Sequence, residues 1–537
     1  MGIYLNPNNE NFKKITCADI YVDKTMMIKV LNRFMETAQE YVCVSRPRRF
    51  GKTIAGNMLA AYYSKGCDSR QLFAPYKISR DTCFATYLNK LNVIQIDMNS
   101  EFRNERETDK LLENLQDRIV EEFAEQFPDI DFGKRESVGN SILKAYSKKG
   151  EKFVIIIDEY DVLVRENVSQ KLFDQYLDFL NGLFKSNTLR PAIALAYITG
   201  ILPVVRDRIQ SKLNNFREYT ILDAGKLAEF IGFTAPEVQA LCTEYGADFE
   251  EFKRWYDGYR QRGYEIYNPE SVVMSLEDGG CGNYWGKTST YAVIVDRIRA
   301  NFEGTKEDVI RMLAGESVDV NVTRYMNTMT DFSTRGDVFT YLIHLGYLAY
   351  DREEKTCRIP NKEIQQEWFN AIEAVDDYAV TNRIIQASKE LLAETLRLNA
   401  EAVARSLDES HIHVTSNRSY NNEDALQSAI YLSYIYALNK YTIVKEPTSD
   451  MRETQFLGKV ACDRRFADVV FIPFVPGIPA MIIELKRNGS TESAISQIRE
   501  RRYFDSLSAY SGDLLFIGVN YDEAAKTHES QIERFVK

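Results

Sequence analysis

Residues 45–53 read SRPRRFGKT and directly follow the apolar run EYVCV at 40–44. The last three match the end of a phosphate-binding loop, G-x-x-x-x-G-K-[ST], but position 46, where that pattern needs glycine, is Arg46. In such a loop, backbone N–H groups between a strand and a helix wrap a phosphate, and the helix dipole adds a favourable field. The lysine neutralises β/γ-phosphate oxygens, and the Ser/Thr hydroxyl coordinates magnesium. Gly-Lys-Thr on its own also occurs in ordinary basic loops. Its setting separates the two readings, because the segment CVSRPRRFGKTIAGNML (43–59) runs from buried strand through loop into helix. Lys52 and Thr53 are therefore nucleotide-binding candidates, with Arg48, Arg49, Phe50 and Gly51 beside them.

Outward from this loop, the pattern to about residue 225 alternates strand and helix. Apolar runs stand at 40–45, 92–98 (NVIQIDM), 153–158 (FVIIID), 193–199 (IALAYIT) and 219–222 (YTIL), with amphipathic helices such as QKLFDQYLDFLNGLF (170–184) between them. Five buried strands separated by helices imply a mostly parallel sheet covered on both faces. The third strand, in KFVIIIDEYDVLV, ends at Asp158-Glu159. An aspartate there can contact hydrated magnesium, and the adjacent glutamate can polarise the attacking water. The competing reading, two solvated carboxylates at a strand end, loses ground beside a phosphate loop. The fourth strand ends YITG, placing Thr199 where a sensor of the γ-phosphate would sit, though it can equally be a strand-end residue. The strand order expected is 5-1-4-3-2, with the fourth strand beside the first. Arg206 and Arg208 could serve as arginine fingers, but surface arginines are the commoner case.

A length of 537 residues suggests two to four domains. With 45% apolar and 27% charged residues, the composition is that of a soluble globular protein. The N-terminal residues carry no basic region followed by an apolar one, Asn6 breaks a myristoylation signal, and the apolar runs are too short to span a bilayer. Eight scattered cysteines without a C-x-x-C pair fit a reduced cytoplasmic protein, and the His411/His413 pair lacks further ligands. A net charge of −11 argues against a grip on nucleic acid over the whole surface but leaves room for a local basic groove.

The expected domains are an α/β phosphate-loop, nucleotide-binding domain at 1–225, a helical lid or winged-helix-like domain at 226–365, a helical connector at 366–419 and a second α/β domain at 420–537. In the middle, GDVFTYLIHLGYLAYDREEKTCRIPN (336–361) reads as a helix and a hairpin around DREEK, and lacks a basic recognition helix. From 420 onward the order is helix, strand, strand, strand, helix, strand. Asp468 lies in RFADVVFIP and Glu484 in AMIIELKR, and the link FVPGIP suggests a hairpin that sets the two strands side by side. Glu484 and Lys486 then share a strand face, with Leu485 on the other. Asp468 and Glu484 can bind magnesium, while Lys486 orients or activates water for phosphodiester attack. An isolated E-x-K is more often a charged pair on a strand edge; here Glu423 offers a further ligand, Glu446 ends the intervening strand, and Gln497 and Tyr503 stand on the following helix as supporting residues. Asp463 competes with Asp468 for the metal. Arg464, Arg465, Arg487, Arg499, Arg501 and Arg502 could track a phosphate backbone or be ordinary solvated charges.

YVDKT (21–25), RPRRFGKT (46–53), IIIDEYD (155–161), YITGILPV (197–204), LNNF (213–216), WYDGY (255–259) and YNPES (267–271) together resemble the AAA-ATPase-like family over roughly residues 1–290. That family's loop commonly reads R-P-R-R-F-G-K-[ST], so the resemblance makes Arg46 a family feature. It implies ATP and Mg²⁺ as cofactors, with Lys52 and Thr53 at the Walker A positions and Asp158 and Glu159 at the Walker B positions. Residues 420–537 resemble the PD-(D/E)XK nuclease fold that such proteins often carry, although GKVACDRRFAD (458–468) departs from the usual compact G-x-G-x-x-D approach. The reading is thus an ATP-binding and hydrolysing protein coupled to a Mg²⁺-dependent nuclease acting on DNA, in defence or mobile-element biology, with a homo-oligomer left open. Two others stay beside it: a nucleotide-switched binding protein whose nuclease fold does not turn over, and a translocase that only grips DNA. WYDGY and YNPES are expected to serve aromatic packing between the ATPase and its lid.

Overall fold

The apolar run of the phosphate loop forms β1 (Tyr41–Ser45), buried at every residue, in a computed structural model of the chain. The structure describes all residues except 1, 134, 167, 204–212, 287–290, 300, 301, 303, 314, 324–331, 375–378, 415–425, 427–429, 432, 446–466, 474–476, 502–509, 511 and 537. Two compact units are present, one comprising Met1–Asp308 with Ser317–Trp368, the other Val309–Glu316 with Phe369–Lys537.

In the first unit, β1 joins β2 (Asn92–Asp97), β3 (Phe153–Asp158), β4 (Ile193–Gly200) and β5 (Arg217–Tyr219) in a parallel sheet of order β2-β3-β4-β1-β5, the expected 5-1-4-3-2. β3 and β4 are buried throughout, as continuous Ile/Val/Ala runs require when helices cover both sheet faces. One cover is the helix Gln170–Phe184. Ser169 caps it by accepting from the Leu172 amide at 3.3 Å, and Leu172, Tyr176, Leu177, Leu180 and Leu183 form its buried stripe while Asp174 and Asp178 face out. The helix Lys52–Tyr63 packs along β2, β3 and β4. β5 is shorter and earlier than the expected 219–222. Thr220 closes a turn there, its amide donating to the Asp223 carbonyl at 3.0 Å and its hydroxyl accepting from the Leu222 amide at 3.1 Å.

The middle segment is less helical than expected. β6 (Phe233–Thr234), β7 (Tyr259–Gln261) and β8 (Tyr264–Tyr267) make a three-stranded sheet of order β6-β8-β7. The β7–β8 hairpin turns at Arg262 (φ 49°) and Gly263 (φ 87°), two consecutive left-handed residues that match the strand twist. The expected helix and hairpin follow as Arg335–Leu345, β10 (Ala349–Asp351) and β11 (Thr356–Arg358), with β9 (Val318–Asp319) as a third strand.

The second unit is built on a five-stranded sheet, β12 (Tyr441–Lys445), β13 (Val469–Pro473), β14 (Ala480–Arg487), β15 (Leu514–Asp522) and β16 (Thr527–Phe535), in sequence order. Only β14 and β15 are parallel, joined by the crossover helix Thr491–Glu500. Side chains of the two sheet faces separate cleanly. Met481, Ile483 and Leu485 pack toward Leu391, Leu392, Val403 and Leu407, whereas Ala480 and Ile482 meet Ile495 and Ile498 of the crossover helix. The last strand, THESQIERF, was not anticipated. It is an edge strand with mostly part-exposed polar residues, so period-two apolar alternation is absent. No helix among the described residues is long and apolar enough to cross a membrane.

Candidate functional site

Register places the candidate residues of the first unit along the carboxyl ends of the parallel strands. Ser45 pairs with Gly200, Val44 with Thr199, Ile157 with Ile198 and Asp97 with Asp158, so the phosphate loop, Asp158 and Thr199 lie in one row at the sheet edge. The loop then leaves β1 with an unusual set of anchors. Arg46 is 2% exposed and turns inward, its Nη1 donating to the carbonyls of Ser45 at 2.8 Å and Tyr219 at 2.9 Å, which ties the loop entry to β5. Burial lowers its guanidinium to about 10, and its Nη2 has no partner. Pro47 packs against Gly346, where an added Cβ would lie 2.9 Å from the proline ring. Phe50 meets Tyr259 edge-on at 5.4 Å between centroids, and the Tyr259 hydroxyl donates to the Gly346 carbonyl at 2.6 Å. Arg49 pairs with Glu270 of YNPES. WYDGY thus meets the phosphate loop through the Tyr259 ring, whereas YNPES meets it through the Glu270 ion pair.

The turn itself is made by two left-handed residues, Arg49 (φ 69°) and Gly51 (φ 88°), just before the helix that starts at Lys52. A Cβ on Gly51 would meet nothing within 4 Å, so backbone conformation and not space is what calls for glycine there. The Lys52 amine donates back to the carbonyls of Arg46 at 3.1 Å and Pro47 at 2.9 Å. Burial lowers its proton affinity, opposed by Glu159, Asp158 and Asp161. Thr53 and Arg48 are exposed. A cavity of about 780 Å³ opens over Arg48, Arg49, Phe50, Gly51, Lys52 and Thr53, with Glu159 and Arg165 on one side. Its other wall includes Ile15, Ile20, Val22, Phe233 and Val273, an apolar surface suited to a flat base.

Asp158 accepts from the Thr199 hydroxyl and, at 3.0 Å, from the Glu159 amide. Thr199 is fully buried, and its hydroxyl is committed to Asp158. Glu159 borders the cavity in a left-handed conformation (φ 52°). Burial raises its carboxyl, and Lys52 and Arg165 pull it back. Arg165 pairs with Glu159 and, through Nε at 3.0 Å, with Asp161. Sequence reading missed Arg165 and Asp161. Both stand in DEYDVLVR, and a buried acid three residues after the strand end was the available signal. Arg206 and Arg208 lie outside the described residues.

In the second unit the antiparallel register, Val469 opposite Ile483, brings Asp468 to the level of Glu484. Asp468 Oδ2 accepts from the Leu485 amide at 2.6 Å. Glu484 is 3% exposed, and its Oε1 takes bonds from Lys486 Nζ at 3.3 Å and from Gln497 Nε2. Lys486 also donates to Gln497 Oε1 at 2.6 Å, so Gln497 bridges the pair. Glu484 Oε2 is buried without a hydrogen-bond partner. Burial first and Asp468 second push its carboxyl up to about 7, against Lys486. Asp468, Glu484, Lys486 and Gln497 therefore do come together, with Leu485 in the opposite core. Arg487 and Arg499 are paired with Glu523 and Glu533. Glu423, Tyr503, Asp463, Glu446, Arg464, Arg465 and Arg502 lie outside the described residues. Among the described residues, no group of three or more His, Cys, Asp or Glu forms a metal cluster.

Residues 9–210 match the model of the AAA-ATPase-like family, described as predicted AAA-ATPase. This segment is a P-loop ATPase-type domain. The rest of the chain lies outside that match. Over 543 residues the chain is 22% identical to an uncharacterized protein in the vnfD 5′ region of Azotobacter chroococcum mcd 1, covering 96% of each. Solved structures that align include Cdc6p from Pyrobaculum aerophilum, at 10% identity over 69% of this chain and 99% of that one, with a TM-score of 0.26. Aeropyrum pernix ORC1 in complex with DNA aligns at 11% identity over 82% and 90%, with a TM-score of 0.26. TM-scores this low carry no argument about the present chain.

Proposed function

We propose that the P-loop ATPase-type domain binds and hydrolyses ATP, and that the second unit is a Mg²⁺-dependent phosphodiesterase of the PD-(D/E)XK type acting on DNA. For the first activity, Lys52 and the amides of the Gly51 turn would receive the β/γ-phosphates. Thr53 and Asp158 would hold the magnesium, and Glu159 would accept the proton of the attacking water. The apolar wall of the cavity fits the base.

The observation that carries the second activity is the buried, unpartnered Glu484 Oε2 at the level of Asp468. A desolvated carboxylate oxygen without a donor is costly unless a cation or a proton meets it. Two carboxylates are the hard oxygen donors that Mg²⁺ selects. Asp468 and Glu484 would hold the ion, which when bound supplies charge neutralisation at a phosphodiester and lowers the pKa of a coordinated water. Lys486, on the same strand face, would orient the nucleophile or neutralise the phosphate, and Gln497 would fix both the lysine and Glu484.

Purified protein incubated with DNA, ATP and Mg²⁺ or Mn²⁺ tests this. Cleavage is expected, and it is abolished by Glu484→Ala or Lys486→Ala with ATP turnover retained. Wild type that cuts neither DNA nor RNA under these conditions overturns the nuclease reading and leaves a nucleotide-switched binding protein.

A further inference from the structure

The ion pair between Arg49 and Glu270 takes no part in the scheme above, although both side chains border the cavity over the phosphate loop. Glu270 stands in the first turn of the helix Pro269–Asp278, where its amide donates to the capping Asn268 Oδ1 at 2.9 Å. Pro269 and Glu270 precede Val273 by four and three residues, so the three share a helix face, and all three line the cavity. Arg49 reaches the carboxylate from the loop, donating through Nη1 to Oε1. Among the described residues, nothing donates to Oε2. The carboxylate is thus tied to the phosphate cradle at one end and lies one helical turn from the apolar wall at the other. In a nucleotide laid between Lys52 and that wall, the part at this level is the ribose, which joins the phosphates to the base.

We propose that Glu270 determines sugar specificity, its Oε2 accepting from the 2′-hydroxyl of the bound nucleotide and selecting ribonucleotides over 2′-deoxyribonucleotides. The inference rests on nucleotide binding at the phosphate loop. An ionised carboxylate only accepts, and of the ligand's parts at this level the sugar hydroxyls are the neutral donors that match it. A bare carboxylate this close to the loop would repel the phosphates, and the Arg49 charge offsets that repulsion while leaving Oε2 open. A site that bonds a substrate hydroxyl rejects an analogue lacking it, because the acceptor is left unpaired. The Glu270 side chain is 43% exposed, so water can stand in for a missing hydroxyl, and the discrimination is modest beside that of a sealed site.

Equilibrium titration of the full chain with ADP and with 2′-deoxy-ADP, neither of which has a γ-phosphate to lose, tests this. Wild type is expected to bind ADP about tenfold more tightly than 2′-deoxy-ADP. In Glu270→Ala the two affinities should become equal. Their ratio is the readout, because freeing Arg49 beside the phosphates changes both affinities alike. Glu270→Gln, which keeps an acceptor oxygen but loses the charge, should give an intermediate ratio. Both substitutions remove a part-exposed ion pair and leave the Asn268 cap in place, so the fold is retained. Equal affinities in wild type, or a wild-type ratio in Glu270→Ala, overturn the proposal. So does a Glu270→Ala effect confined to ADP against inosine diphosphate, which would put the carboxylate at the amino group of the base. Should Glu270→Ala not fold, Glu270→Gln decides in its place, and a wild-type ratio then overturns the proposal. Binding of neither nucleotide by wild type is a different failure, that of the nucleotide-binding reading, and the sugar contact falls with it.

Discussion

At position 46, where glycine would complete a phosphate loop, the arginine is a structural tie rather than a phosphate ligand. Its guanidinium donates to a carbonyl on β5, 173 residues along the chain, and sits in the interior with one nitrogen unpartnered. Replacement by the missing glycine should therefore harm the fold without improving nucleotide binding. Arg46→Gly is expected to lose roughly 2–4 kcal/mol from the emptied space and the two orphaned carbonyls. Thermal denaturation would show it as a clear fall in melting temperature, and an ATP titration should show no gain in affinity. This also marks the limit of what single residues disclose. The placement of Lys52 and Thr53 at the start of a helix after β1, and of Asp158 and Glu159 at the end of β3, was legible because apolar runs mark those strands. The role of Arg46 was not, because its acceptor is a backbone carbonyl on a distant strand that no sequence pattern announces. Arg165 was hidden for a related reason, since an arginine on a short helix reads as surface charge until its two carboxylate partners are seen.

Among the elements, the phosphate loop and the segment after β5 behave as one packed body. Tyr259 illustrates it, covering Phe50 and bonding the Gly346 carbonyl at 2.6 Å. Tyr259→Phe should cost about 1–2 kcal/mol by orphaning that buried carbonyl, measurable by denaturant unfolding. A pH dependence belongs to the same region. Glu363 accepts from the amides of Tyr284 and Trp285, both at 2.9 Å, and from the Ser271 hydroxyl at 3.0 Å. Burial raises its carboxyl from 4.5 to about 7 despite these donors, and Glu367 is the charged group facing it. Folding thus favours the protonated form. Its stabilisation is complete below pH 4.5 and is lost as pH rises through about 7, by at most about 3 kcal/mol. The melting temperature of wild type is expected to drop more steeply between pH 5 and pH 8 than that of Glu363→Gln; parallel curves would contradict the assignment. Four strands of the main sheet were readable from apolar runs, because parallel strands buried on both faces need them, and their order from the carboxylates that end the third; β5 (Arg217–Tyr219) carries no such run. β6, β7 and β16 were not readable, being two to three residues long or polar at a sheet edge, where pairing depends on backbone bonds more than on side-chain pattern.

For the molecule as a whole, the two sites fall in separate compact units, and each has its own internal anchor: Arg46 and Tyr259 for the loop, Gln497 for the carboxylate pair. Substitutions in one should leave the other folded. Glu484→Ala is expected to stop DNA cleavage while ATP turnover continues, and Lys52→Ala to stop turnover in a folded protein whose melting temperature falls somewhat, because the carbonyls of Arg46 and Pro47 lose their donor. If ATP drives cleavage, Lys52→Ala also slows it, whereas a nuclease independent of ATP would cut at the wild-type rate in that variant. All of this depends on SRPRRFGKT acting as a phosphate cradle in spite of its arginine entry. The rate of ATP hydrolysis with Mg²⁺ by wild type and by Lys52→Ala tests that most directly. Turnover by the wild type and its loss in folded Lys52→Ala is the predicted result; equal rates in the two proteins, or none in the wild type, would contradict it.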